Sequence, residues 1–288
     1  MPAHFLPENT VPDDAENQAI YQSLSRLAGV DRPALIFRTI AATPGALPWC
    51  WRRIGPLYQR GQVQDAGWKI APAMELAPEC QFPEEALMLL GIDQPARQKA
   101  ERVLDVYNRV NPCNLIAIGV LGLILGSASQ RRRNNVPAPA PAEEWVPPPA
   151  IVPITTMLAP QDIPDTTARL IQEISLDQSA PGEPRLFPSL YRHLADIPGF
   201  LPVASILLQP LIRRGQLDLF VRQVRESALR ESARLAETID CPDKDELPDR
   251  DRIRVLLERF SWKIPEMIVV GEILRRALPE PAGKLRNQ

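Results

Sequence analysis

The sequence predicts an all-α protein: two tandem helical repeats forming an intramolecular pseudo-dimer, joined by a long proline-rich linker. Three observations predict it. Apolar residues recur at helical spacing along most of the chain. No alternating β pattern of convincing length appears. And the block 37–62 recurs 154 residues downstream without a gap, identical at 11 of 26 positions, where average composition would give roughly two. Duplication is the physical explanation of that identity.

The repeated block places Arg38, Ala41, Pro44-Gly45, Leu47-Pro48, Pro56-Leu57 and Arg60-Gly61-Gln62 beside Arg192, Ala195, Pro198-Gly199, Leu201-Pro202, Pro210-Leu211 and Arg214-Gly215-Gln216. Nearer each repeat's end, Val103-Leu104 pairs with Val255-Leu256 and 116–119 with 268–271, at an offset of 152. The starts also agree loosely, Val11-Pro12-Asp13 against Ile163-Pro164-Asp165. These matches set the boundaries at 1–130 for repeat one, 131–160 for the linker and 161–288 for repeat two.

Each element has a local reason. Stretches 18–27 and 167–176 are amphipathic at helical period, with Asp13 and Asp165 as expected N-caps. Leu217, Phe220, Val224, Ala228, Leu235 and Ile239 fall near one face of a further helix. Pro-Gly at 44–45 and 198–199 marks a turn or helix junction. The linker carries eight prolines between Val136 and Pro160, so it is expected to be extended or polyproline-like. Trp145 inside it is expected to pin it to the body. Arg131-Arg132-Arg133 reads as a solvated patch. The best strand candidate, 151–157, is demoted by its proline.

Composition narrows the function. A net charge of -2 from 33 basic and 35 acidic residues argues against nucleic acid, which needs a basic face. The longest apolar run, 115–125, is shorter than the ~20 residues of a membrane span, so it reads as a buried helix. Met1 to Asn9 lack the pattern of a signal peptide. Cys50, Cys80, Cys113 and Cys241 have no metal-type spacing and read as free thiols, as in a reducing cytoplasm. No metal site is expected. Self-association as a homodimer stays open. No glycine-rich phosphate loop, HExxH or GxSxG is present.

Some residues stand out. Arg38 and Arg192 recur, which points to a shared architectural task such as holding carbonyls; binding a ligand carboxylate is the alternative for one of them. His193 is matched by Thr39, so it follows no repeated rule and is a candidate general base. Asn108 and Asn111 border an apolar run, either in a polar pocket or as a cap before Pro112. Lys263 stands opposite Asn111 in the repeat alignment and could draw an anion. Trp51 and Trp262 are expected in the core.

The stretch Ile40-Ala41-Ala42-Thr43-Pro44-Gly45-Ala46-Leu47-Pro48, then Trp51-Arg52-Arg53, resembles the group I 2-haloacid dehalogenases, the DehI-like family. So does Val103-Leu104-Asp105-Val106-Tyr107-Asn108-Arg109-Val110-Asn111-Pro112. The resemblance implies an all-α pseudo-dimer with a small-organic-acid pocket between its repeats and no metal or cofactor. It also implies hydrolysis of the carbon–halogen bond by water that an aspartate activates and an asparagine helps hold, with no covalent ester. The family's asparagine corresponds to Asn111, and the serine before its aspartate to Ser189. The aspartate position carries Leu190, which takes no proton, and Ile36 is its partner in repeat one. Family pocket aromatics fall on Arg32, Leu35 and Leu257. A one-turn shift in alignment would make Asp196 the substitute carboxylate. The expected ligand set is therefore Leu35, Asn111, Ser189, Leu190 and Lys263, with Asn111, His193 and Asp196 as candidate catalytic groups. The rival reading is a non-catalytic helical ligand-binding or protein-interaction scaffold.

Overall fold

A computed structural model of the chain describes residues 14–70, 80–126, 145–155, 157–177, 187–239 and 246–279. Among these residues all regular structure is helical. The order is α1 (Ala15–Ala28), α2 (Leu35–Ala41), α3 (Ala46–Gln59), α4 (Gln62–Trp68), α5 (Glu84–Leu89), α6 (Gln94–Gly126), α7 (Asp165–Ile174), α8 (Ser189–Leu194), α9 (Phe200–Arg213), α10 (Gln216–Ala236) and α11 (Arg250–Ala277), with a 3-10 turn at Pro160–Asp162.

Capping explains where several helices begin. α1 starts at Asp14, whose Oδ1 accepts from the Asn17 amide at 2.8 Å, and ends at Gly29 in the left-handed region. Asp13, the expected cap, lies outside the described residues. Asp165 is the first residue inside α7 and makes no cap bond; its charge still suits a helix N-terminus. α3 and α9 each run 14 residues with an internal proline, after Gly45 (φ 77) and Gly199 (φ 78). A side chain at either glycine would be strained.

α6 is the spine, packed along α11, α10 and α4. By length and composition it could cross a membrane, but its apolar stretch is consumed inside the body: Leu104, Ile116, Val120 and Leu121 are fully buried. Burying such side chains contributes roughly 1.5–3 kcal/mol each. Close helix approach needs glycine at two places. A Cβ at Gly67 would sit 2.8 Å from the backbone of Pro112, and one at Gly271 would collide with Oδ1 of Asn108. α6 runs straight through Pro112, so neither asparagine beside it caps a helix end.

The segment 145–155 has no regular structure. Trp145 seats on Gly61 and lies 6.4 Å from the ring of Trp68. Arg131-Arg132-Arg133 and Cys241 lie outside the described residues. Cys50 and Cys113 are buried free thiols, which burial pushes up to about 12. Trp51 and Trp262 are only half-buried. Trp262 is not a core residue because its indole N–H donates to Glu258 at 3.2 Å and its ring faces Arg225 at 3.9 Å, both at the surface.

Candidate functional site

A cavity of about 130 Å³ opens where α2, α6, α8, α11 and the 145–158 segment meet. Helical spacing decides which side chains reach it. Tyr107, Val110, Asn111 and Asn114 form one face of α6; Phe260, Ile264 and Met267 form one face of α11; Ser189 and His193 are one turn apart on α8. The entry to α2 contributes Asp31, Arg32, Pro33 and Ala34, with Leu35, Ile36 and Arg38 from the helix itself. Ile154 and Met157 close the remaining side.

His193 is the best-fixed polar group. Its Nε2 lies 3.2 Å from the Thr155 carbonyl and its Nδ1 lies 2.8 Å from the Tyr107 hydroxyl. A carbonyl only accepts, so Nε2 carries the proton, and the neutral ring accepts from Tyr107 at Nδ1. Burial pushes its pKa down to about 4; the carbonyls of Thr155 and Ser189 oppose that fall, and the Arg32 and Arg192 charges add to it. A neutral ring with both nitrogens engaged is a weak base. It orients Tyr107 and the segment beside it.

Asn111 is 4% exposed, and its Nδ2 makes no hydrogen bond to the described residues. A buried amide donor left so is costly unless a ligand or solvent meets it. Two guanidinium groups, Arg32 and Arg38, stand on the cavity wall against one carboxylate, Asp31. That carboxylate accepts from Arg32 Nε at 3.1 Å. The wall therefore combines one net positive charge, an amide donor and a largely apolar lining.

Leu35, Asn111, Ser189 and His193 thus come together around the cavity, while Leu190, Lys263 and Asp196 do not line it. Leu190 is wholly buried in the core. Lys263 was expected to face Asn111 and a ligand. Instead its Nζ donates to Glu266 Oε2 at 2.9 Å and to the Leu176 carbonyl, while Glu266 Oε1 accepts the Leu176 amide at 3.1 Å. A buried ammonium must be paired, and the glutamate three residues on supplies the partner. Asp196 faces away and holds Lys99 at 2.6 Å in a part-exposed ion pair. Ser189 directs its hydroxyl to Met267 Sδ at 3.6 Å.

Tyr107, Asn114 and Asp31 were not among the ligand residues expected from sequence, and Arg38 was expected there only as the alternative to an architectural task. The helical face running from Tyr107 through Asn111 was the signal that could have found two of them. The repeated arginines separate here: Arg192 donates from Nε (2.9 Å) and Nη2 (2.7 Å) to the Leu158 carbonyl, whereas Arg38 lines the cavity. No group of three or more potential metal ligands occurs among the described residues.

No family model and no curated protein sequence matches the chain. Solved structures do. A D-2-haloacid dehalogenase in complex with L-LA superposes with a TM-score of 0.71 at 19% identity, covering 94% of this chain and 96% of that one. A mutant of a D-2-haloacid dehalogenase with D-2-CPA gives 0.69 at 18% identity with the same coverage, as does a further mutant structure. At that identity the likeness is one of architecture, and the chain has the D-2-haloacid dehalogenase fold.

Proposed function

We propose that this chain is a duplicated, DehI-like pseudo-dimer that binds a short organic anion in the cavity between its repeats, without the family's carboxylate-driven hydrolysis. The reading is carried by one observation: the cavity offers two guanidinium groups and an unmet buried amide donor, while the position of the family's aspartate is a wholly buried leucine, Leu190. The cavity's about 130 Å³ approaches the ~150 Å³ that holds benzene elsewhere, so the fitting ligand has about six non-hydrogen atoms, the size of butyrate or 2-chloropropionate. The arginines attract its carboxylate, and the apolar remainder takes its chain.

Water activation needs a carboxylate within reach of a bound water. Asp31 is the one acid on the cavity wall among the described residues, and it is tied to Arg32. Binding without turnover is therefore the function best supported. Calorimetry with butyrate and a halide-release assay with 2-chloropropionate test both parts. The expected result is saturable binding of both acids and no halide above the uncatalysed rate. Halide release that Asp31→Asn abolishes would replace this reading with a hydrolase using a relocated base.

A further inference from the structure

One wall of the cavity comes from no helix. Ile154, 8% exposed, and Met157 reach it from the linker, and the linker's register against the body is held at several points. The Ile151 amide donates to the Gly29 carbonyl at 2.9 Å. Arg109 Nη1 donates to the Pro149 carbonyl at 2.7 Å. His193 Nε2 donates to the Thr155 carbonyl, and Arg192 donates twice to that of Leu158. Gly29 allows this approach, since a Cβ there would lie 2.9 Å from the Pro148 carbonyl oxygen. The gripped residues, Thr155 and Leu158, directly follow the wall residues, Ile154 and Met157. The grip therefore decides which linker side chains face the cavity.

The remaining apolar wall belongs to α2, α6 and α11, with Pro33 and Ala34 at the entry to α2; the helical residues there also pack the core, so a change of size in them disturbs the fold. Ile154 also joins the core, whereas Met157 is half-buried and outside any helix, so Met157 can change size with the least effect on helix packing. From this we infer that Ile154 and Met157 are the specificity-determining residues of the site and set the chain length of the acid it accepts. This rests on the organic-anion reading above. A carboxylate drawn to Arg32 and Arg38 leaves its chain in the apolar part of the cavity, which the linker closes. Methionine is a flexible gap-filler, so the wall at Met157 sets the room available for the chain's last carbons.

The test is a calorimetric series of straight-chain carboxylates from acetate to hexanoate against the full chain. The parent's affinity is expected to peak near butyrate. Met157→Ala and Ile154→Ala move the peak to longer acids, with about a tenfold gain for hexanoate relative to butyrate, the scale of one methylene in an apolar pocket. Met157→Phe moves it to shorter acids. An unchanged peak in Met157→Ala and Met157→Phe, both melting like the parent, overturns the inference. If one of them fails to fold, the other is read alone, since their shifts have opposite sign. Failure of the parent to bind any acid overturns the organic-anion reading itself, and the inference with it.

Discussion

The stretch from α2 into α3 and the stretch from α8 into α9 share a frame and differ in duty. Both enter a 14-residue helix through a left-handed glycine, and both carry an arginine seven residues before that glycine. In the second stretch Arg192 is 2% exposed and clamps the linker at Leu158. In the first, Arg38 lines the cavity. At the next position His193 holds Thr155 and Tyr107 through space, whereas Thr39 turns its hydroxyl back to the Leu35 carbonyl of its own helix at 2.8 Å. The shared positions preserve backbone geometry; what each side chain does depends on which neighbour the fold brings to it.

The sharpest way to break that comparison is to remove both arginines in turn. Arg192→Ala is expected to lower unfolding stability by about 4 kcal/mol, through lost charged hydrogen bonds and lost packing of the stem. Denaturant titration measures it, and a loss no larger than that of Arg38→Ala would show the two arginines to be equivalent.

The second break uses pH. The His193 pKa of about 4 lies below the ~6.5 of an exposed histidine. The unfolded chain therefore takes up the proton first as pH falls, and stability present above about 6.5 is lost progressively down to about 4. Between pH 7 and 4 this one group should account for up to about 3 kcal/mol. His193→Gln should flatten the slope by that amount, and equal slopes in parent and variant would refute the assignment.

The third concerns the glycines. A Cβ at Gly199 (φ +78) would stand 2.7 Å from the Leu90 carbonyl oxygen, while one at Gly45 (φ +77) meets only a proline ring carbon at 3.4 Å. Gly199→Ala should cost about 2 kcal/mol and Gly45→Ala about 1 kcal/mol; melting curves that rank them the other way would undo the argument from packing. The smallest effect belongs to Arg38→Ala: a smaller loss of stability than Arg192→Ala, with butyrate binding weakened about tenfold, or roughly 1.4 kcal/mol. Undiminished binding would move the anion's counter-charge to Arg32.

Much of the helical frame was legible because periodicity and glycine junctions are local signals. The apolar positions of α10 and the Pro-Gly entries to α3 and α9 needed no knowledge of distant neighbours. The site was legible only where one helix face carries it. Asn111, Ser189 and His193 reach one cavity, yet Lys263 does not, because Glu266 satisfies it three residues on, a spacing readable in the sequence but outweighed by the expected face-to-face placement with Asn111. Leu190 faces the core instead of the cavity, a difference of rotation about a helix of only six residues, too short for periodicity to orient. Ile154 and Met157 could not be found at all from pattern. Irregular chain has no period, and their place depends on contacts with Gly29, His193 and Arg192 far off in sequence.

The linker's position also bears on covalent connectivity. A sequence that matches itself at an offset of 154 residues invites the idea of severing the chain and letting two fragments reassociate, since α6 and α11 would still supply the docking faces. Fragments ending at 130 and starting at 161 would leave out Trp145, Ile154 and Met157 together. Such a reassembled pair would keep its helices and present an open cleft where the intact polypeptide has a walled chamber. The segment between the two halves is thus part of the cavity wall as well as a tether.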